Sequence, residues 1–294
     1  MIVIAAILNG LMTGAIYGLI ASGLSVVFGM MRIFNFAHGD LFMLAMYAIY
    51  WLFTLFGLSP YISLFLVAFV FFIGGYFLEH ILFNPLIRRE GSEERDIPDT
   101  LLVSMGMGFF FANGATAAFT GDFRGVITGI TWTSFSVGTL TVSAPLLIGA
   151  ITSVVVIGGL WLFLNKTYLG RMMRAVSQDR EMGALLGIDP YKVFDLSMAI
   201  CCVLLVISAG VMMPFYYVSP GLGMLFSLKA FIIVVLGGLG SVGGAMAGGA
   251  IIALLESTAV LLVNQAYVDI VILAVFLLFL LLRPRGLFGI KGEF

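Results

Sequence analysis

Long apolar runs separated by short polar segments dominate the chain. The runs cover approximately residues 4–29, 41–57, 61–83, 99–119, 144–165, 196–218, 229–245, 247–263 and 268–282. Most approach the roughly 20 residues that a membrane-spanning helix needs, and a helix satisfies its own backbone hydrogen bonds in lipid. The pattern therefore predicts an all-α polytopic membrane protein with about eight or nine hydrophobic segments. We expect one transmembrane domain over residues 1–294, with some segments short or re-entrant.

Composition supports a lipid environment and excludes several classes of protein. Hydrophobic residues make up 62% of the chain and charged residues only 10%, whereas a soluble domain carries roughly 25% charged residues. A net charge of −1, without a basic run, argues against nucleic-acid binding. The adjacent cysteines Cys201 and Cys202 lie inside an apolar run, so we interpret them as packing residues and expect no metal site.

The distribution of basic residues predicts the orientation in the membrane. Basic residues concentrate in three segments: 84–98, 166–195 and the tail after residue 282. The loop 120–143 carries only Arg124. Because cytoplasmic loops are enriched in Lys and Arg, we expect the three basic segments and the C-terminus to be cytoplasmic and 120–143 and 219–228 to face outward. The basic residues concerned are Arg88, Arg89, Arg95, Lys166, Arg171, Arg174, Arg180, Lys192, Arg283, Arg285 and Lys291.

The cytoplasmic segment 166–195 contains the signals of two short helices. The first, from about Tyr168, is amphipathic, with an apolar stripe formed by Leu169, Met172, Met173 and Val176. In the second, Asp179 is a good N-cap, Glu181 suits the positive helix start, and Gly187 suits the left-handed position after the helix. Asp189 is then predicted to cap the next span.

A helix of two turns is marginal by itself in water, so the apolar face of the second helix requires a partner. Two interpretations remain open. The face, formed by Met182, Leu185 and Leu186, lies either on the bilayer and neighbouring spans or on a cytoplasmic protein.

Several stretches together resemble one family of transport proteins. They are Arg174–Asp189, Asn9–Tyr17, Asn35–Asp40, Lys229 with the glycine-rich segment 237–249, and Arg283–Gly289. The chain resembles permeases of branched-chain amino-acid ABC importers, and its Asn35–Asp40 motif is similar to that of the smaller, LivH-type partner.

The resemblance implies a bacterial inner-membrane subunit that works with a sister permease, cytoplasmic ATPase subunits and an extracytoplasmic substrate-binding protein. It also implies that the segment 166–195 couples the permease to the ATPase. The expected coupling residues are Arg174, Asp179, Arg180, Glu181, Ala184, Gly187 and Asp189.

The residues support this division of labour and leave the substrate open. The sequence has no Gly-x-x-x-x-Gly-Lys-Ser/Thr phosphate loop, so we expect no ATPase or other enzyme site and no cofactor in this chain. A mid-membrane carboxylate dyad for proteolysis is also absent. The alternatives are an importer of the same type for urea, amides or small organic acids, or a stand-alone secondary transporter or channel.

Polar residues within the apolar runs are candidates for the translocation pathway, because burying them in lipid is costly. They are Asn9, Tyr17, Asn35, His38, Asp40, Asn113 and Glu256. For Asn35–Asp40 the alternative is a turn whose side chains satisfy the local backbone, with His38 capping a helix end. Lys229 is expected to snorkel out of its span, and Glu79 and His80 to form a hydrated helix end.

Glycines recur every four residues in two places, Gly10, Gly14 and Gly18, and Gly240, Gly244 and Gly248. This spacing is typical of closely packed membrane helices. The stretch Gly238–Gly243 also matches the dinucleotide-binding pattern Gly-x-Gly-x-x-Gly. Because that pattern requires a βαβ unit, which a membrane segment cannot form, we favour helix packing for both groups.

Overall fold

The computed structural model describes residues 2–90, 93–137, 140–283 and 286–288. The basic residues Arg285 and Lys291 and the end of the motif Arg283–Gly289 lie outside the described residues, as do the side chains of Arg89 and Arg95.

Helices form most of the described structure and strands very little of it, which confirms the all-α membrane architecture. They are α1 Ile2–Met31, α2 His38–Phe56, α3 Pro60–Leu78, a π-helical turn Glu79–Phe83, α4 Asn84–Glu90, α5 Glu93–Phe119, α6 Ala144–Lys166, α7 Tyr168–Gln178, α8 Arg180–Leu185, α9 Pro190–Met212, α10 Leu222–Gly237, α11 Val242–Ala259, a 3₁₀ turn Gln265–Tyr267 and α12 Val268–Leu282. A small antiparallel hairpin, β1 Ser134–Val137 and β2 Leu140–Ser143, precedes α6. Among the described residues, 8 helices are long and apolar enough to cross a membrane, and α10 is a shorter apolar helix.

Helix α9 lies at the centre of the bundle. It contacts α1, α2, α3 and α6, and 78% of the residues in its most apolar stretch of 18 residues are buried inside the chain. The corresponding share is 17% for the span Pro60–Arg88 and for the span Gln265–Leu282. Those two spans therefore lie at the periphery, and α9 forms the core.

Helix α1 packs directly on α11 through glycines. A Cβ atom added to Gly14 would lie 2.7 Å from the Cα of Ala250, and one added to Gly18 would lie 3.0 Å from the Cα of Met246. From the other side, Gly249 faces the backbone of Gly14 and Gly18. The two backbones thus touch, as expected where small residues allow membrane helices to approach closely.

The second glycine group is arranged differently from the prediction. Gly240 lies before α11, in a turn, with φ of 79°, and packs against Gly29 of α1. Only Gly244 and Gly248 lie on α11, where they contact α10. The predicted single ridge of three glycines is therefore wrong.

The boundaries predicted around this turn are also wrong. Gly238 and Gly240 both have a positive φ, which breaks the helix, and Ser241 then caps α11 by accepting a hydrogen bond from the Gly244 N–H. The apolar run 229–245 is therefore divided between two helices. At its other end, α10 begins at Leu222, so most of the predicted outward loop 219–228 is helical.

Helix α2 begins inside the bundle. After α1 ends at Met31 the chain turns back, and the Nε2 of His38, the first residue of α2, lies 2.9 Å from the carbonyl oxygen of Ile20. Ile20 precedes the end of α1 by about 16 Å of helix, at 1.5 Å per residue. Residues 32–37 therefore turn back into the bundle, although they lie between the predicted apolar runs 4–29 and 41–57 and in neither of them.

The described basic residues of the three basic segments gather at one end of the bundle. The Arg88 guanidinium lies 4.3 Å from the centroid of the Tyr191 ring at the start of α9, and Arg180 donates to the carbonyl of Met31. The tail joins the same end, because the Leu287 N–H donates to the Leu236 carbonyl. At the opposite end, the backbones of Arg124 and Val218 pair with each other.

We predict that Gly14→Ala destabilises the fold by about 1–3 kcal/mol, because the new methyl group meets the backbone of α11 and the helices must separate. The control is Gly158→Ala, since nothing lies within 4 Å of a Cβ on that helical glycine. Thermal unfolding in detergent measures both. Equal stability of the two variants would contradict the close contact.

Candidate functional site

The segment 166–195 has the caps that the sequence predicts. Asp179 Oδ1 accepts hydrogen bonds from the N–H groups of Glu181 and Met182, at 2.9 and 3.0 Å. Gly187 has a φ of 80°, and Asp189 Oδ1 accepts from the Tyr191 N–H at 3.1 Å. Helix α8 is therefore fixed at both ends by local interactions, and α9 follows directly.

Helix α8 is joined to the membrane helices by Arg180 and Gly183. Arg180 Nη2 donates to the Met31 carbonyl at 2.6 Å, and its guanidinium lies 5.0 Å from the centroid of the Phe194 ring on α9. Gly183 is buried, and its position allows α8 to approach Val176 of α7. A displacement of α8 would therefore reach α1, α7 and α9.

Helix α7 is anchored to the end of α6. Arg174 Nη1 donates to Asn165 Oδ1 at 2.9 Å. Of the predicted apolar stripe, Met173 and Val176 are buried, Met172 is half-buried and Leu169 is exposed. The prediction of an amphipathic helix is confirmed, with its buried face narrower than the stripe.

The apolar face of α8 is uncovered in this chain. Met182, Leu185 and Leu186 are 59%, 81% and 77% exposed. Ala184 and Glu181 are also exposed. Beside α8, an open crevice of about 270 Å³ lies between the end of α1 and the α7–α8 turn. One of the two open interpretations placed this apolar face on neighbouring spans. For the described residues that placement is wrong, because the face is exposed.

The motif Asn35–Asp40 forms a buried turn, and two of its side chains are satisfied. Asn35 Oδ1 accepts from the Ala37 N–H at 3.0 Å, and its Nδ2 donates to the sulfur of Met198 at 3.9 Å. His38 is fully buried between the Ile20 carbonyl and Cys201, whose Sγ lies 3.5 Å from Nδ1. His38 therefore joins α1 to α9 and does not cap its own helix.

The buried N-terminus of α2 uses hydroxyl groups from other helices. Ser104 of α5 accepts from the Phe36 N–H, and Ser227 of α10 accepts from the Gly39 N–H at 2.8 Å. Backbone N–H groups at a helix start lack partners within the helix, so these hydroxyls satisfy them.

Asp40 lies in the first turn of α2, against Gly108 of α5 and Gly223 of α10. It is buried, and we find no hydrogen-bond partner for its carboxylate in the described part of the chain. A negative charge is favourable at this positive end of the helix. Asp40 is thus the carboxylate of the motif that remains available to another group.

A second polar cluster joins α1, α10, α11 and α12. Lys229 Nζ lies 2.9 Å from Glu256 Oε1, 3.8 Å from Asp269 Oδ1 and 5.3 Å from the centroid of the Tyr17 ring. The side chains of Lys229 and Glu256 are only 16% and 22% exposed. The expectation that Lys229 snorkels outward is therefore wrong, because it pairs with Glu256 across two helices. We call these four residues the Lys229 cluster.

Asn9 and Asn113 belong to neither group. Asn9 is half-buried on α1, and Asn113 is exposed on α5, where its Nδ2 donates to the carbonyl of Phe109 in the same helix. The structure thus divides the predicted pathway residues between the α2 turn, the Lys229 cluster and two separate positions.

Sequence reasoning missed a third buried cluster. Glu79 was expected at a hydrated helix end, but it is 1% exposed and packs beside Asp195 and Asn84. The error arises because a π-helical turn adds a residue and changes the face on which Glu79 lies. The available signal was Asp195, a charged residue at the start of an apolar run.

Comparison with known proteins identifies the family of this arrangement. The family model for the permease component of branched-chain amino acid transport systems matches residues 6–280. The chain is 32% identical over 296 residues to the high-affinity branched-chain amino acid transport system permease protein BraD of Pseudomonas aeruginosa, covering 96% of this chain and 94% of the relative.

More distant relatives carry related names. LivH of Salmonella typhimurium, a permease protein of a high-affinity branched-chain amino acid transport system, is 29% identical over 298 residues, covering 96% of this chain and 94% of the relative. A probable branched-chain amino acid transport permease protein LivH of Methanocaldococcus jannaschii is 27% identical over 287 residues, covering 94% and 89%. No solved structure matches the chain significantly.

We predict that Lys229→Met or Glu256→Leu alone destabilises the protein by roughly 3 kcal/mol, because each leaves a largely buried charge without its partner. The double variant should cost clearly less than the sum of the two, since it leaves neither charge. Thermal or denaturant unfolding of all four proteins measures the coupling. Additive effects would show that the ion pair contributes nothing.

Proposed function

The chain belongs to the family of branched-chain amino acid transport system permease components, and from this premise we propose that it is the membrane subunit of an ATP-driven importer. Its proposed substrates are branched-chain or related amino acids, because its relatives are named as permeases for branched-chain amino acids. Its proposed partners are a sister permease, cytoplasmic ATPase subunits and an extracytoplasmic binding protein.

The observation that carries the ATPase partner is the exposed apolar face of α8. A six-residue helix is marginal by itself, yet this one is capped, anchored by Arg180, and exposes Leu185 and Leu186. Burying an exposed leucine stabilises a complex by about 1.5–3 kcal/mol. We infer that an ATPase subunit binds this face at the cytoplasmic side of the inner membrane, the side to which the basic segments and the C-terminus are predicted to belong.

The contacts of α8 define how ATP-driven movement would spread. Arg180 bonds to the end of α1, and Asp189 and Pro190 connect α8 to α9 without a flexible linker. Helix α9 is the core helix and contacts His38 through Cys201. Closely packed helices move as units, so displacement of α8 is expected to shift α1 and α9 relative to the turn that starts α2.

The proposed translocation path runs between this subunit and its sister. Asp40, whose carboxylate has no partner among the described residues, is proposed to offer this negative group to the amino group of the substrate. At the opposite end, the loop 120–143 exposes Phe123 and Trp132, which are 78% and 79% exposed. These side chains are proposed to contact the binding protein that delivers the substrate.

The proposed function is tested by co-expressing the tagged chain with its genomic neighbours. We expect a second permease and an ATPase to copurify. Proteoliposomes that contain the complex and the binding protein should take up leucine only when ATP is present on the side of the membrane that carries the ATPase subunits. Uptake of urea, an amide or an organic acid instead of leucine would identify the alternative importer. Uptake by this chain alone, driven by an ion gradient, would overturn the proposal.

We predict that Leu185→Glu leaves the fold intact, because its side chain is 81% exposed, but weakens association with the ATPase by at least roughly tenfold. The matched control is Phe123→Glu, a similar change at the opposite end of the bundle, which should leave ATPase binding unchanged. Copurification of the ATPase with each variant measures this association. Normal ATPase binding by Leu185→Glu would show that α8 is not the docking helix.

A further inference from the structure

Glu79 is a buried carboxylate without a partner. It begins the π-helical turn that follows α3, and its residue is 1% exposed. Neither Oε1 nor Oε2 has a hydrogen-bond partner within the described structure. An ionised carboxylate in such a position would lose several kcal/mol of hydration without compensation. The chemical state of Glu79 therefore requires an explanation.

The neighbouring polar groups form a network that excludes Glu79. Asp195 Oδ1 accepts a hydrogen bond from Asn84 Nδ2 at 2.6 Å, and Asp195 Oδ2 lies 3.0 Å from His80 Nδ1. Since the Asn84 amide nitrogen faces Asp195, its oxygen is fixed as an acceptor, and this oxygen is also buried without a partner. Three acceptor atoms, two from Glu79 and one from Asn84, thus lack a donor.

Among the side chains that the structure describes, the charged and titratable groups around Glu79 do not supply a positive charge. From α9 it faces the negative Asp195 and the thiols of Cys201 and Cys202. On its own side, His80 is engaged by Asp195 and stacks on Tyr76. The nearby basic residue of α4, Arg88, lies over the Tyr191 ring.

A metal ion is not favoured as the missing partner. No group of three or more His, Cys, Asp or Glu residues in the described ranges could hold one. A proton is the remaining simple cation, and it converts one of the three acceptors into a donor. It also removes the charge that burial penalises.

We propose that Glu79 is a proton-binding site, and that the neutral carboxylic acid allows the end of the third span to pack on α9. At the edge of the site, the His80 side chain is 53% exposed while it contacts the buried Asp195. The site packs against α9, the helix that follows α8, so a shift of α9 would alter it. The proton site itself does not depend on the proposed transport function.

The first test is chemical labelling of the chain with its copurifying subunits. Dicyclohexylcarbodiimide, a lipophilic reagent, modifies protonated carboxyl groups in apolar surroundings, and mass spectrometry locates the adduct. At neutral pH we expect Glu79 to be labelled at least roughly tenfold more than Glu256, which is ion-paired with Lys229. Labelling of Glu256 without labelling of Glu79 would overturn the proposal.

The second test compares wild type with Glu79→Gln, which mimics the protonated side chain. If the folded protein holds a proton that the unfolded chain releases, wild-type stability falls as pH rises, by up to roughly tenfold in the unfolding constant per pH unit. Glu79→Gln has no such proton, so its stability relative to wild type should rise as the pH increases above about 4.3, the ordinary pKa of a glutamate in the unfolded chain.

The matched control for this test is Glu256→Gln, which breaks an ion pair and should destabilise the protein without the same rise with pH. Parallel pH dependences of wild type and Glu79→Gln would overturn the proposal. Neither measurement requires transport, so their outcome is separate from that of the uptake experiment.

Discussion

The contact between α1 and α11 is the interaction on which the other features of the bundle depend. It brings two backbones together at Gly14, and it fixes α1 as a rigid element. Three functional regions then attach to α1: the turn before α2, helix α8 and the Lys229 cluster. The carbonyl of Ile20 holds His38, the carbonyl of Met31 holds Arg180, and the ring of Tyr17 lies beside Lys229. In lipid, where apolar surface gives little drive for helix association, such close packing is a main source of stability.

The buried polar groups follow from the same lack of water. The turn before α2, the pair Lys229–Glu256 and the network around Asp195 each connect helices that are distant in sequence. A polar group inside a bilayer must find its partner within the protein, so each cluster fixes the relative position of at least two helices. Asp40 and Glu79 are exceptions among these buried groups, and such exceptions are where ligands or protons are expected to act.

The coupling region 166–195 differs from these buried clusters. It is stabilised by local interactions, and it leaves an apolar face exposed. Asp179, Gly187 and Asp189 fix the ends of its helices, and Arg180 fixes its position on the bundle. The leucines of α8 are 81% and 77% exposed, so the part of the chain that the structure describes leaves them uncovered. A rigid base with an uncovered apolar face suits a subunit that receives movement from another protein.

The sequence by itself determined the features that depend on local physics. Hydrophobic length predicted the spans, and cap residues such as Asp179 and Gly187 predicted α8, because both signals act within a few residues. The distribution of basic residues predicted which described segments share an end of the bundle. Only the tertiary structure decided the partners of Lys229, the burial of Glu79 and the position of Gly240. These depend on helix register and on residues far away in the chain, and a single π-helical turn or a pair of glycines with positive φ changes which face meets which neighbour.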